Sequence, residues 1–243
     1  MLPATMENGE KLNKNSRLYV IGDIHGRLDL LDQLIEAIQR DVDEHGCDSL
    51  TVTLGDYIDR GPDSRGVIER LLTNPFPGRY IALKGNHEAL LETFLDQPDI
   101  GSQWRYLGGL ESLHSFGVPV ASLMVGRNYD EAAKQLRVAL SPEHRGFLAS
   151  LKTSLFVEQY FLCHAGVRPG IPLERQSEED LLWIRDEFLN SRMDFGKIVV
   201  HGHTPVEEPE VLSNRINIDT GAFATGRLTC VVMEGESHRF IRT

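Results

Sequence analysis

Three times in its first half the chain runs through a short apolar stretch, stops at a glycine followed by Asp or Asn, and resumes at helical spacing. Leu18-Tyr19-Val20-Ile21 stops at Gly22-Asp23, after which Leu28, Leu31, Leu34, Ile35 and Ile38 recur with the period of a helix. Leu50-Thr51-Val52-Thr53-Leu54 runs into Gly55-Asp56, followed by Val67, Ile68, Leu71 and Leu72. Tyr80-Ile81-Ala82-Leu83 leads to Gly85-Asn86-His87, followed by Leu90, Leu91 and Phe94. Strands alternating with helices this way predict an α/β fold, in which loops at the carboxyl ends of the strands converge above a rigid edge. Two later apolar runs, Tyr160–Cys163 and Ile198–Val200, end at or near His164 and His203. The polar blocks at all five ends therefore point into one region.

Those blocks share a chemistry. Asp23 and His25 lie two apart on a turn, so both can reach one cation, and Asp56 brings a carboxylate able to bridge two. Asn86, His164 and His203 add a neutral oxygen and two imidazoles for the second ion. Carboxylate, amide and imidazole donors without thiolate favour Mn²⁺, with Fe or Zn²⁺ also compatible, and a pair of such ions suits phosphate-ester hydrolysis by water. His87 follows Asn86 directly and points elsewhere, which suits protonation of a leaving group. Asp59 is placed to orient that imidazole, and Arg60 offers a planar fork for phosphate oxygens. Arg185, in Leu182-Trp183-Ile184-Arg185-Asp186, is the candidate second clamp. Any one of these alone is more often a helix cap or a surface residue; the concurrence of five blocks at strand ends carries the reading. His201 is expected behind His203, while His45, His114, His144 and His238 have no such neighbours.

The remaining segments are less constrained. From Gln97 to Val125 the periodicity fails, and a helical or loop insertion near the site is expected. Residues 1–16 lack an apolar core and read as a flexible lead-in, leaving 17–243 as one domain. The runs 215–219, 228–233 and 238–241 read as a meander completing a second sheet. A formal charge of −11 over 243 residues argues against nucleic acid or anionic membrane as a partner. No stretch approaches membrane-spanning length. Cys47, Cys163 and Cys230 form no CxxC pair and suit reduced thiols in a cytoplasm.

The blocks from Asp23 to about Gly221 resemble the phosphoprotein phosphatase family of metallophosphoesterases, particularly its bacterial and phage serine/threonine phosphatases. The resemblance implies a four-layer fold, a central β-sandwich flanked by helices. It implies Asp23, His25 and Asp56 on a first metal and Asp56, Asn86, His164 and His203 on a second. Asp59, His87, Arg60 and Arg185 match the orienting acid, the leaving-group acid and the phosphate clamps. The implied substrate is a phosphoprotein or phosphopeptide, with phosphotyrosine as a further target and inorganic phosphate as product. Pro205 stands where many wider-family members carry another metal-binding His, which fits the phosphoprotein branch. A related branch hydrolyses diadenosine tetraphosphate and usually has Asp where this chain has Glu88, so that activity is the competing expectation. A catalytically dead adaptor would lack a ligand or the acid, and none is missing.

Overall fold

The structure is a computed structural model describing residues 9–13, 16–235 and 237–243. In chain order its elements are β1 (Arg17–Ile21), α1 (Leu28–His45), β2 (Ser49–Thr53), α2 (Ser64–Leu72), β3 (Arg79–Ala82) and α3 (Asn86–Asp96). There follow α4 (Gly101–Trp104), α5 (Gly109–Ser115), α6 (Tyr129–Ala139), α7 (Pro142–Ser150), β4 (Ser154–Val157) and β5 (Tyr160–Cys163). The last part comprises α8 (Glu178–Trp183), α9 (Asp186–Leu189), β6 (Ile198–His201), β7 (Glu210–Val211), β8 (Arg215–Asn217), α10 (Ala222–Thr225), β9 (Thr229–Glu234) and β10 (Ser237–Arg242).

Two five-stranded mixed sheets result, in the orders β10-β9-β1-β2-β3 and β4-β5-β6-β8-β7. Strand alternation sorts the apolar residues into three layers. Leu18 and Val20 of β1, Leu162 of β5, Val200 of β6 and Val231 of β9 meet between the sheets. Tyr19 and Ile21 face the other way, onto Leu31, Leu34 and Ile38 of α1 and Val67 and Ile68 of α2. Phe161, Cys163 and Val199 face outward from the second sheet onto Leu181, Ile184 and Phe188. Three apolar interfaces separate four layers, helices outside and sheets within, as the resemblance implies.

β1, β2 and β3 are mutually parallel, and so are β5, β6 and β8. The loops leaving these six strands therefore emerge on the same edge of each sheet. Among the described residues, no helix is long and apolar enough to cross a membrane.

The C-terminal strands correct the expected meander. Only β8 joins the second sheet, parallel to β6, whereas β9 crosses over and pairs antiparallel with β1, bringing β10 with it. The reason is burial on both faces of β9. Val231 and Met233 lie in the inter-sheet layer while Cys230 and Val232 lie against the helices, a pattern that an edge meander facing solvent would not satisfy. The flexible lead-in expected over 1–16 lies mostly outside the described residues. Within the described part, the Glu10 amide donates to the Phe156 carbonyl at 2.8 Å and Leu12 packs on the inter-sheet layer, so residues 9–13 rest against β4. The aperiodic 97–125 segment holds α4, α5 and short 3₁₀ turns.

Candidate metal centre and active site

Each sequence block sits where a strand gives out. Asp23 and His25 follow β1, Asp56, Asp59 and Arg60 follow β2, and Asn86 and His87 open α3 just after β3. His164 follows β5, and His203 follows β6. His25, Asp56, Asp59, Arg60 and His203 all adopt positive φ, between 45° and 71°, a region that non-glycine residues avoid. Such backbone persists only where the surroundings over-determine it, and it concentrates at functional sites. Two glycines make room for the convergence. A Cβ on Gly202 would fall 2.1 Å from Asp23 Oδ1, and one on Gly85 would fall 2.1 Å from Asp56 Oδ1.

The donors converge on Asp56. Its Oδ2 lies 3.4 Å from His25 Nε2 and 3.5 Å from His164 Nε2. Asn86 Oδ1 lies 2.8 Å from His164 Nε2 and 2.9 Å from His203 Nδ1. His25 Nδ1 faces the Ile58 carbonyl at 2.8 Å and His164 Nδ1 the Leu54 carbonyl at 3.0 Å. Those carbonyls require N–H at Nδ1, which leaves the inward Nε2 lone pairs free for a cation, the usual orientation of metal-binding imidazoles. Burial lowers the pKa of His25, His164 and His203 to about 3, keeping all three neutral. Among the described residues, His203 Nε2 is buried without a partner. Asp23 takes the His203 amide on both oxygens, at 3.1 and 3.3 Å, and burial together with Asp219 and Asp56 raises its pKa well above the ordinary range. Crowded carboxylates, inward lone pairs and an orphaned imidazole nitrogen are a donor set that divalent cations fit. Among the described residues, two groups satisfy ligand spacing, His25/Asp56/His87 and Asp56/His164/His203, sharing Asp56.

His87 differs from the other imidazoles. Its Nδ1 lies 2.6 Å from Asp59 Oδ2 and its Nε2 lies 3.2 Å from Arg60 Nη2. Burial works against its cation, but Asp56 and Asp59 outweigh burial and raise its pKa above 6.5. Asp59 is fully buried; its Oδ2 also accepts Trp104 Nε1–H at 2.7 Å and its Oδ1 accepts the Ser112 hydroxyl at 2.5 Å. The guanidinium of Arg60 stacks 4.6 Å above the ring of Phe223. Arg185 lies at the break between α8 and α9, exposed, with Nη1 3.2 Å from Thr204 Oγ1, and its charge depresses the His203 pKa. All ten site residues marked in the sequence thus reach one region, Arg185 at its rim. His201 stands behind His203, buried against Phe188 with its Nε2 3.4 Å from Arg215 Nη1.

Five residues carry no mark of this kind in the sequence pattern. Trp104 and Ser112 come from the aperiodic insertion. Asp219 ends the β8 run and lies buried beside Asp23; burial raises its pKa to about 6. Phe223 packs edge-on to His25 at 5.4 Å. Glu88 faces inward: its carboxylate accepts the amides of Gly85, Asp56 and Tyr57 at 2.8–2.9 Å and is fully buried. It ties the Asp56 loop to the Asn86 loop, so a Glu-to-Asp difference there bears on loop spacing and not on substrate contact.

A four-layer α/β/β/α fold with this donor set at its strand ends defines a metallophosphoesterase. Residues 16–230 match the Calcineurin-like phosphoesterase family, and the chain belongs to that family. Among its relatives is serine/threonine-protein phosphatase 2 of Escherichia coli K12, 27% identical over 240 residues, covering 94% of this chain and 98% of that protein. Another is an asymmetrical bis(5'-nucleosyl)-tetraphosphatase of Anoxybacillus flavithermus, 28% identical over 231 residues, covering 87% and 88%. In fold, the chain matches a cold-active protein-tyrosine phosphatase of Shewanella with TM-score 0.61 at 17% identity, over 96% of this chain and 80% of that one. It also matches a structure described as a candidate diadenosine tetraphosphatase, with TM-score 0.65 at 23% identity over 96% of both chains.

Proposed function

We propose that the protein is a cytoplasmic, dinuclear-metal-dependent phosphomonoesterase that acts on phosphoserine and phosphothreonine in proteins, with phosphotyrosine as a further substrate. The observation that carries this reading is the Asp59–His87–Arg60 chain set against the convergent donors around Asp56. Asp23, His25 and Asp56 would hold one ion, and Asp56, Asn86, His164 and His203 the other. Two divalent cations held there, Mn²⁺ foremost, would supply charge to offset that of the phosphoryl group and would lower the pKa of water.

The chain's own residues do the rest. Arg60 and Arg185 take phosphoryl oxygens and hold the ester in line. A phosphate that engages Arg60 draws the guanidinium from His87 Nε2, which then takes up a proton from water, as its raised pKa allows, and delivers it to the leaving oxygen. Asp59 keeps the Nδ1 proton in place and supports the charged imidazole, and Trp104 and Ser112 fix Asp59 in turn. Inorganic phosphate is the product.

A second reading, dinucleoside tetraphosphate hydrolysis, is supported by the tetraphosphatase names among the relatives. Half-exposed Trp183 and Phe223, edge-on to His203 and His25, are also shaped to stack on a base. One preparation tests both readings. Exhaustive chelation should abolish hydrolysis of p-nitrophenyl phosphate and Mn²⁺ should restore it. The restored enzyme should show higher kcat/KM for phosphoserine or phosphothreonine peptides than for diadenosine tetraphosphate. Undiminished turnover by protein shown metal-free by elemental analysis would refute the metal requirement; preference for the dinucleotide would make the second reading the function.

A further inference from the structure

Beside the centre, a groove of about 680 Å³ opens between the start of α1, the Gly61–Asp63 turn and α10. It is continuous with the clamp, because Arg60 forms part of its wall and touches His87 with its Nη2. Phe223, 37% exposed, forms another part, its ring braced by His25 and Arg60. Leu28 and Pro62 add apolar surface.

The charges lining this groove are already engaged. Arg27 is held by both oxygens of Asp29, at 2.8 and 2.7 Å, and by the Ala222 carbonyl at 2.9 Å. Asp32 pairs with Arg70 at 2.8 Å, and Asp63 accepts the Gly66 amide at the start of α2. Among the described residues, Arg60 is the one lining cation without a carboxylate partner, and the scissile phosphate claims it. A leaving group that carries further phosphates needs further cations, and here it would meet Asp29, Asp32 and Asp63 instead. Apolar contact with a half-exposed ring suits an uncharged group.

We infer that this groove is the leaving-group subsite and that it takes a neutral alcohol on a peptide or other uncharged frame, excluding a polyphosphate chain. The inference rests on the phosphomonoesterase reading above and gives it a physical basis for substrate choice. It assigns Phe223, Asp29 and Asp32 to specificity, a role distinct from metal binding or proton transfer.

The test measures kcat/KM for a phosphoserine peptide and for diadenosine tetraphosphate with Mn²⁺-loaded wild type, Phe223→Ala, Asp29→Asn and Asp32→Lys. Asp29→Asn releases Arg27 and Asp32→Lys adds a cation, so each should raise the tetraphosphate-to-peptide ratio by about fivefold, an effect that salt should diminish. Phe223→Ala should lower kcat/KM for the peptide by about tenfold. The two aspartates are solvent-accessible, so their variants should fold. Ratios within twofold of wild type in both aspartate variants overturn the inference and leave the phosphomonoesterase reading standing; a wild type that already prefers the tetraphosphate overturns the inference and makes dinucleoside tetraphosphate hydrolysis the function. A wild type with no metal-dependent hydrolysis of p-nitrophenyl phosphate removes that reading and this inference with it.

Discussion

Asp59→Asn isolates the electrostatic contribution of one buried carboxylate, because the geometry lets an amide replace it with little rearrangement. Oδ2 accepts both His87 Nδ1–H and Trp104 Nε1–H, so the amide oxygen must stay there. The NH₂ then faces Ser112 Oγ, a hydroxyl that can accept as well as donate. What is lost is the negative charge beside His87. Charge-assisted hydrogen bonds are roughly twice as strong as neutral ones, so the imidazolium should lose about 1–1.5 kcal/mol, or about one pKa unit. The sign follows from the raised pKa of His87. The acid form works below that pKa, so activity falls as pH rises through it, and in Asp59→Asn that alkaline limb should move about one unit toward acid. In stability terms, a raised histidine pKa favours folding below the unfolded value near 6.5, and the benefit disappears as pH rises through the folded value. The variant should therefore be less stable by about 1 kcal/mol at pH 6 and close to wild type at pH 9. The assays are pH–rate profiles with an ester of a poorly acidic alcohol, metal analysis, and urea unfolding at the two pH values. An alkaline limb that stays in place while metal content is unchanged would refute the pairing of Asp59 with a proton-donating His87.

Two further outcomes test the neighbouring roles. His87→Asn should lower kcat by roughly 10²–10⁴ with both metals retained, and the loss should shrink for acidic leaving groups; loss of a metal would reassign His87 as a ligand. Arg60→Ala and Arg185→Ala should weaken ester turnover and inhibition by inorganic phosphate together, Arg60 more strongly because it also touches His87. Unchanged kcat/KM and phosphate inhibition in Arg185→Ala would return that exposed side chain to an ordinary rim residue.

Local signals carried most of what the sequence discloses. Apolar runs broken at Gly22, Gly55 and Gly85 mark strand ends because the chain must turn there, and the polar residues at those turns are brought together by the sheets alone. Side chains that act through long-range contacts left no such trace. Trp104 and Ser112 lie in a segment without periodicity, and only the folded path of α4 and α5 carries them to Asp59. Glu88 follows His87 immediately, and the sequence marks it only as a difference from the tetraphosphatase branch; that its oxygens accept three buried amides belongs to the folded loops. The partner of β9 was equally hidden. A strand with a continuous apolar run such as Cys230–Met233 can complete either sheet, and register with Leu18–Ile21 of β1 is a property of the assembled sandwich.

That last pairing also bears on the order in which the protein can mature. β1 lies between β2, its near neighbour in the chain, and β9, where Leu18 faces Met233. A chain emerging from the ribosome can zip β1, β2 and β3 together early, but the other edge of β1 stays open until the β9–β10 hairpin arrives. The same closure holds the first turn of the site, since the Gly22 amide donates to the Thr229 carbonyl and Asp23 takes the His203 amide. Such distant contacts form late and slowly. Assembly of the site would then wait for β9, and a nascent N-terminal half would carry Asp23, His25 and Asp56 before His164 and His203 have joined them.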